Sequence, residues 1–249
     1  MRADGGVPVG KQRAEGRVVV RPRPVAPCRW ELDPERADQD GVVGVGADLD
    51  VATLVAAYHR GIFPWPHAGM PLLWFSPDPR AVLAPNAFHV SRSLRRTLRN
   101  CGWTTTVDQA PEQVIEACAQ RAEGTWITAE MRDAYRELAA LGWVRSVEVW
   151  DGAGLVGGVY GVQIGPVLTG ESMFHRRPDA SKVALLDLAR RFGEAGGVLL
   201  DVQLVTDHLR SLGAVEVPRS EFLRLLSRSA SDECLMDADR LPVSRLAAR

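Results

Sequence analysis

The sequence predicts an α+β protein, with a small N-terminal α/β domain ahead of a larger one. Three observations predict it. SVEVW, DGAG and LVGGVYGVQIG read as strand, turn and strand, and PVLTGESMF adds a third strand. DASKVALLDLARRFGEAGG carries apolar residues (Val183, Leu185, Leu186, Ala189, Phe192) at helical spacing. A short apolar strand, VLLDVQ, follows and leads into further helix. That succession makes an α+β layer.

Residues 1–28 are rich in Gly, Pro, Arg and Val without any period, and are expected to form a flexible basic extension. In GVGADLDVATLVAAYHRGIFPWP, Asp48 or Asp50 is placed to cap a short helix bearing Leu54, Val55 and Tyr58, which Gly61 stops. FPWPHAGMP is an aromatic, proline-rich loop. LLWFSPDPRAVL reads as a linker entering a strand, so a boundary is expected near Pro77 and Asp78. This gives a small domain over 29–77 and a larger one over 78–228. In the larger one, HVSRSLRRTLRN is a helix begun by Ser91, and PEQVIEACAQRA is a second. TAEMRDAYRELAALG is a third, capped by Thr128 and stopped near Gly142. TDHLRSLGA and RSEFLRLLSR are closing helices, and residues 229–249 form a polar tail expected to fray. The order of hairpin, strand, helix and strand resembles the acyl-coenzyme A N-acetyltransferase fold.

A formal charge of −1 means that any basic surface is local. No apolar run approaches the roughly 18 to 20 residues of a membrane span, and the N-terminus lacks the apolar core of a secretory signal. A cytoplasmic protein is expected. Cys28, Cys101, Cys118 and Cys234 are scattered, with no C-x-x-C pair, and are expected to be reduced thiols rather than metal ligands. GVVGVGADLD lacks the dinucleotide spacing G-x-G-x-x-G. There is no phosphate loop and no G-x-S-x-G elbow, so Ser172 is a poor nucleophile.

Arg92, Arg95, Arg96 and Arg99 fall at i, i+3, i+4 and i+7, which puts four guanidiniums on one helix face. Such a stripe repels itself unless anions lie along it, and phosphates meet that need; an ordinary solvated face is the alternative. Trp65 in FPWP and Trp126 in GTWIT sit at loops or element ends, where an indole either stacks on a base or packs into the core. Glu171 interrupts an otherwise apolar strand. Asp201 and Gln203 alternate onto one face of theirs. A buried carboxylate costs several kcal/mol unless it is paired or hydrogen-bonded, so these acids mark either a site or a structural ion pair with Lys182 or an arginine.

Together these stretches resemble the leucyl/phenylalanyl-tRNA–protein transferases of bacteria. FPW, SPDPR, GTWIT and GESMF occur in the family's order, with HVSRSLRR, LVGGVYGV, DASKVALL, LLDVQ and DHLRSLGA between and after them, from about Gly41 to Leu225. The resemblance implies a small N-terminal domain followed by an acetyltransferase-like domain. It implies transfer of leucine or phenylalanine, less efficiently methionine, from aminoacyl-tRNA to a protein beginning with Arg or Lys, marking it for N-end rule degradation. No metal or dissociable cofactor is expected. Trp65 and Trp126 would hold the terminal adenosine. Val159, Leu168, Met173, Leu185, Leu188, Phe192 and Leu200 would form the pocket for the amino-acid side chain. Here the sequence departs from the family's pattern, with Val159 in place of methionine and Leu168 and Leu188 in place of phenylalanine. Asp201 and Gln203 would be catalytic, Glu171 would meet the acceptor's cation, and Arg92, Arg95, Arg96 and Arg99 would follow tRNA phosphates. A monomer is expected. An acetyl-coenzyme A enzyme is the rival reading, kept open by Arg176 and Arg177 in HRRPDASK, although the glycines of a pyrophosphate turn are missing there.

Overall fold

A computed structural model describes residues 19–67, 69–120 and 125–247. A three-stranded antiparallel sheet comes first, from β1 (Val42–Val45), β2 (Phe63–Trp65) and β3 (Leu73–Phe75), with helix α1 (Val51–His59) between β1 and β2. Asp50 occupies the N-cap position of α1, but its side chain makes no capping bond. Asp48 instead accepts from the Asp50 N–H and from Thr53 Oγ1. The chain continues through β4 (Arg80–Leu83), α2 (Arg92–Asn100), β5 (Thr104–Val107), α3 (Pro111–Ala119) and α4 (Ala129–Ala140). Ser91 Oγ caps α2 by accepting from the Leu94 N–H, and Thr128 Oγ1 caps α4 by accepting from the Met131 N–H, as the sequence predicts. Then come β6 (Val144–Asp151), β7 (Gly154–Ile164), β8 (Val167–His175), α5 (Ala180–Glu194) and β9 (Leu199–Gln203). Helix α6 (Asp207–Ser211), β10 (Val215–Val217), α7 (Arg219–Ser229) and β11 (Leu241–Pro242) follow.

The second sheet has eight strands in the order β10-β4-β9-β8-β7-β6-β5-β11. All neighbours are antiparallel except β8 and β9. That parallel pairing covers Val167 to Thr169 against Leu199 to Asp201 and stops there, while β8 runs on to His175. The two strands therefore part at their C-terminal ends, in the middle of the sheet. The α+β expectation holds, and the predicted hairpin, third strand, amphipathic helix and short strand are all present.

Apolar residues gather in two clusters. One joins α1, α3, α4 and the small sheet to one side of the large sheet. The other packs α2 and α5 on the opposite side. Close approach on that second side needs glycine: a Cβ on Gly157 would lie 2.6 Å from the Ala180 Cβ at the start of α5. Among the described residues, no helix is long and apolar enough to cross a membrane.

The chain ends differ from expectation. The segment after Arg228 is not frayed, because Cys234, Met236, Ala238, Val243 and Leu246 are buried in the second cluster and β11 pairs with β5. Of the expected extension, residues 1–18 lie outside the described residues. The remainder is held in place: the Val19 N–H donates to the Met236 carbonyl, and Arg145 Nη2 and Trp143 Nε1 donate to the Val20 and Arg23 carbonyls.

Candidate functional site

The site forms where β8 and β9 part, and both strands carry an extra residue there. In β8, Tyr160 and Gly161 of β7 pair with Ser172 and Gly170, so Glu171 is the bulged residue between them. In β9, Ala81 and Val82 of β4 pair with Gln203 and Asp201, which makes Val202 the extra one. A bulge re-aims side chains at a strand end. Gln203 next to it adopts φ +64°, a left-handed conformation that costs a non-glycine residue roughly 1 to 2 kcal/mol. Anchors on both sides hold it. Its N–H donates to Asp201 Oδ1 at 3.0 Å, and its Nε2 donates to Glu171 Oε1 at 3.2 Å. Its amide oxygen has no partner among the described residues.

The two acids differ in what they have left to offer. A carboxylate accepts about four hydrogen bonds. Asp201, fully buried, receives Arg80 Nε at 2.7 Å, Arg80 Nη2 at 2.6 Å, Thr169 Oγ1 at 2.9 Å and the Gln203 N–H. Its capacity is used, and no lone pair remains for a substrate proton. The partner is Arg80, so the ion pair anticipated from sequence exists, but not with Lys182, which binds Asp179 instead. Arg80 is 1% exposed. It lies between the rings of Phe63 and Phe222, at 4.9 and 4.6 Å, and donates its remaining Nη1 to the Gly61 carbonyl at 3.0 Å. Gly61 has φ +69°, and a Cβ there would come within 2.8 Å of Phe222.

In its ionised form Glu171 can receive three donors and keeps one site. Tyr58 Oη lies 2.7 Å from its Oε1, Tyr135 Oη 2.8 Å from its Oε2, and Gln203 Nε2 is the third. The two tyrosine oxygens also lie 2.7 Å apart. Three oxygen–oxygen contacts need three protons to bridge them, and two phenols supply two. A proton on Glu171 completes the ring. Burial acts in the same direction, and with the nearby Asp201 charge it lifts the Glu171 carboxyl to about 7 despite the tyrosine hydrogen bonds. Both phenols are pushed above their ordinary value, first by burial and then by the Glu171 charge.

Trp65 ends β2, 5.4 Å from the ring of Phe75, and Trp126 precedes the α4 cap. Both are half-buried against the first cluster, on the side of Tyr58 and Tyr135. Val159, Leu168, Met173, Leu185, Leu188, Phe192 and Leu200 all belong to the second cluster, between the sheet and α5. Six of them are buried, and Met173 alone is half-exposed. On α2, Arg92, Arg96 and Arg99 are exposed and Arg95 is half-buried, while Leu94 and Leu98 face the core. No ion pair involves these four arginines among the described residues, and they lie on a different element from Glu171 and Gln203. A hollow of about 910 Å³ beside Arg95 and Arg190 touches none of the residues around Gln203.

A family profile described as leucyl/phenylalanyl-tRNA protein transferase matches residues 82–227, and one for the N-terminal domain of that family matches residues 47–78. The curated leucyl/phenylalanyl-tRNA–protein transferase of Anaeromyxobacter dehalogenans strain 2CP-C is 50% identical over 207 residues, 82% of this chain and 89% of that one. The chain belongs to this family. It is an aminoacyltransferase. The protein of the same description from Erwinia tasmaniensis is 48% identical over 208 residues, 81% of this chain and 90% of that one. A solved GCN5-related N-acetyltransferase from Kribbella flavida overlaps with a TM-score of 0.37 at 12% identity, over 65% of this chain and 59% of that one.

Three residues of the cluster around Gln203 were not singled out from the sequence. Tyr58 and Tyr135 sit at ordinary core positions of amphipathic helices, and nothing local distinguishes them. Arg80 did leave a trace, since it is a lone cation opening the apolar strand RAVL.

Proposed function

We propose that the protein transfers leucine or phenylalanine, and less well methionine, from aminoacyl-tRNA to the amino terminus of proteins beginning with Arg or Lys. The products would be marked for N-end rule degradation in the cytoplasm, and the enzyme would act as a monomer. The observation that carries this reading is the free amide oxygen of Gln203, held over the strand gap by Asp201 from one side and Glu171 from the other. The gap is where both sides of the sheet become reachable at once. The terminal adenosine would rest on the side of Trp65 and Trp126, and the amino-acid side chain would enter on the side of Met173.

In the reaction the acceptor's α-amine, having released one proton to solvent, attacks the ester carbonyl. The carbon–nitrogen bond forms and the carbon–O3′ bond breaks. A second proton passes from the nitrogen to the leaving ribose oxygen, giving a peptide bond and a free hydroxyl. Gln203 accepts a hydrogen bond from the amine and so orients its lone pair. Asp201 positions Gln203 and does not itself take the proton, because its four hydrogen bonds are already in use. Holding an activated ester against an amine is worth several kcal/mol of barrier. Glu171 keeps one acceptor site for the cationic side chain of the acceptor, and the incoming charge would draw its carboxyl back to the ionised form. The arginines of α2 would follow the acceptor stem through phosphates rather than bases.

The test uses purified protein, labelled leucyl- and phenylalanyl-tRNA, and peptides beginning with Arg, Lys or Ala. Label is expected in the Arg and Lys peptides. Transfer to the Ala peptide at an equal rate would remove the role given to Glu171, and no transfer at all would remove the reading.

A further inference from the structure

A cavity of about 620 Å³ lies at the C-terminal end of β8. Its lining includes Met173, His175, Arg176, Lys182 and His208. Met173 is two residues beyond Glu171, about 7 Å along the strand, and belongs to the second cluster. On the other flank the lining reaches Gln120, six residues before Trp126. The cavity thus spans from the aminoacyl side of the gap toward the segment that carries one of the two indoles.

Its charge is one-sided. Among the described residues of its lining, four basic side chains meet a single carboxylate, Asp179, which is already engaged. It accepts from Lys182 Nζ and from Thr97 Oγ1, each at 2.9 Å, and Thr97 ties it to the arginine helix α2. Arg176 is fixed by one Nη1 bond to the Leu155 carbonyl at 2.8 Å and lies over the Phe174 ring at 5.3 Å. Its other N–H groups have no partner among the described residues. The His208 imidazole is lowered, first by burial and then by the positive charges of Lys182 and His175. A pre-set arginine, a lysine and two imidazoles around a hollow form a receptor for an anion, and planar guanidinium groups suit phosphate oxygens.

We propose that this cavity is the subsite for the phosphodiesters joining the last nucleotides of the RNA donor, with Arg176, Lys182 and His208 as its ligands. The proposal rests on the tRNA reading. It assigns to these residues the single-stranded end of the donor, and leaves the duplex stem to Arg92, Arg95, Arg96 and Arg99. Neither the indoles nor the apolar pocket would then be the sole anchor of the 3′ end.

The experiment measures binding of the trinucleotide CCA, adenosine and inorganic phosphate to the full chain. Wild-type protein is expected to bind CCA more tightly than adenosine, with an advantage that shrinks as salt rises. Lys182→Gln and Arg176→Gln should each remove about tenfold or more of that advantage, as loss of a charge-assisted contact does. Equal losses for adenosine, or no loss, would overturn the subsite. So would phosphate binding without any advantage for CCA. A second measurement needs no variant. The His208 ring, followed by NMR in wild-type protein, should become easier to protonate with CCA bound and should not with adenosine. An unmoved His208 would overturn its part in the subsite. Failure here remains distinct from failure of the transfer reading: wild-type protein that moves label from charged tRNA but shows no CCA advantage loses only the subsite.

Discussion

A positioning role for Asp201, locked by Arg80, can be separated by experiment from a proton-accepting one. Replacing Arg80 with Met removes two hydrogen bonds from a carboxylate that is 0% exposed and leaves it buried without its counter-charge. Breaking a buried pair from one side costs about 3 to 5 kcal/mol. At roughly 2 to 4 °C per kcal/mol for a chain near this size, the melting temperature should fall by about 6 to 20 °C. Changing both partners, Arg80→Met with Asp201→Leu, removes the stranded charge and should recover most of that loss. A residue of about 1 to 3 kcal/mol should persist, since the Gly61 carbonyl, the Thr169 hydroxyl and the Gln203 N–H still lose their partners. Turnover should behave otherwise. In the double variant Gln203 has no anchor for its left-handed backbone, and a displacement of about 1 Å at a reacting group costs on the order of 100-fold. Thermal melts and label transfer on the two variants give the answer. A double variant that regains turnover together with stability would refute the positioning role.

Three further outcomes are expected. Glu171 and Glu148 are both raised to about 7, each mainly by burial, from an ordinary 4.5. The folded chain therefore binds more protons than the unfolded one between those values, so stability is highest below this window and falls as pH rises through about 7. Melts from pH 5.5 to 8 should show the decline, with Glu171→Gln flattening part of it, and the KM for an Arg-peptide should drop over the same range as Glu171 ionises. Trp126→Ala should raise the KM for charged tRNA, by a factor in keeping with about 1 to 3 kcal/mol of base stacking, and steady-state kinetics check it. Replacing Arg92 and Arg96 with Gln should weaken tRNA binding whatever the tRNA sequence and reduce its salt slope by about 1 to 2, measured by filter binding at several salt concentrations.

Much of this arrangement was legible in the sequence, for reasons that differ by residue. Glu171, Asp201 and Gln203 stood out because polar groups in apolar strands cost free energy, and the caps Ser91 and Thr128 because they act within one helical turn. The bulges at Glu171 and Val202 were not legible, since each depends on which partner strand sets the register. Period-2 reasoning would put Leu168 and Met173 on opposite faces, and the bulge between them brings both into the second cluster. The tyrosine ring was hidden for a similar reason: its three members come from α1, α4 and β8 and meet only in the tertiary fold. The last residues were misjudged because Met236, Val243 and Leu246 follow no period. Their burial comes from partners far away in sequence, as when Arg191 donates to the Asp237 and Asp239 carbonyls.

The sheet order also bears on how the protein is made. Strand β9 sits between β4 and β8, although it is synthesised after both. Arg80 and Asp201 are 121 residues apart, so on the ribosome the arginine emerges long before its counter-charge exists. Until residues 199–203 appear, the gap in the sheet has one wall, Gln203 is absent, and the edges of β4 and β8 lack their partner. Long-range closures of this kind come late and leave strand edges open meanwhile. On the proposed role of Gln203, a nascent chain ending before β9 would have no means of acting on the charged tRNAs around the ribosome. The last central strand thus closes the sheet, and Phe222 of α7, made later still, completes the packing around Arg80.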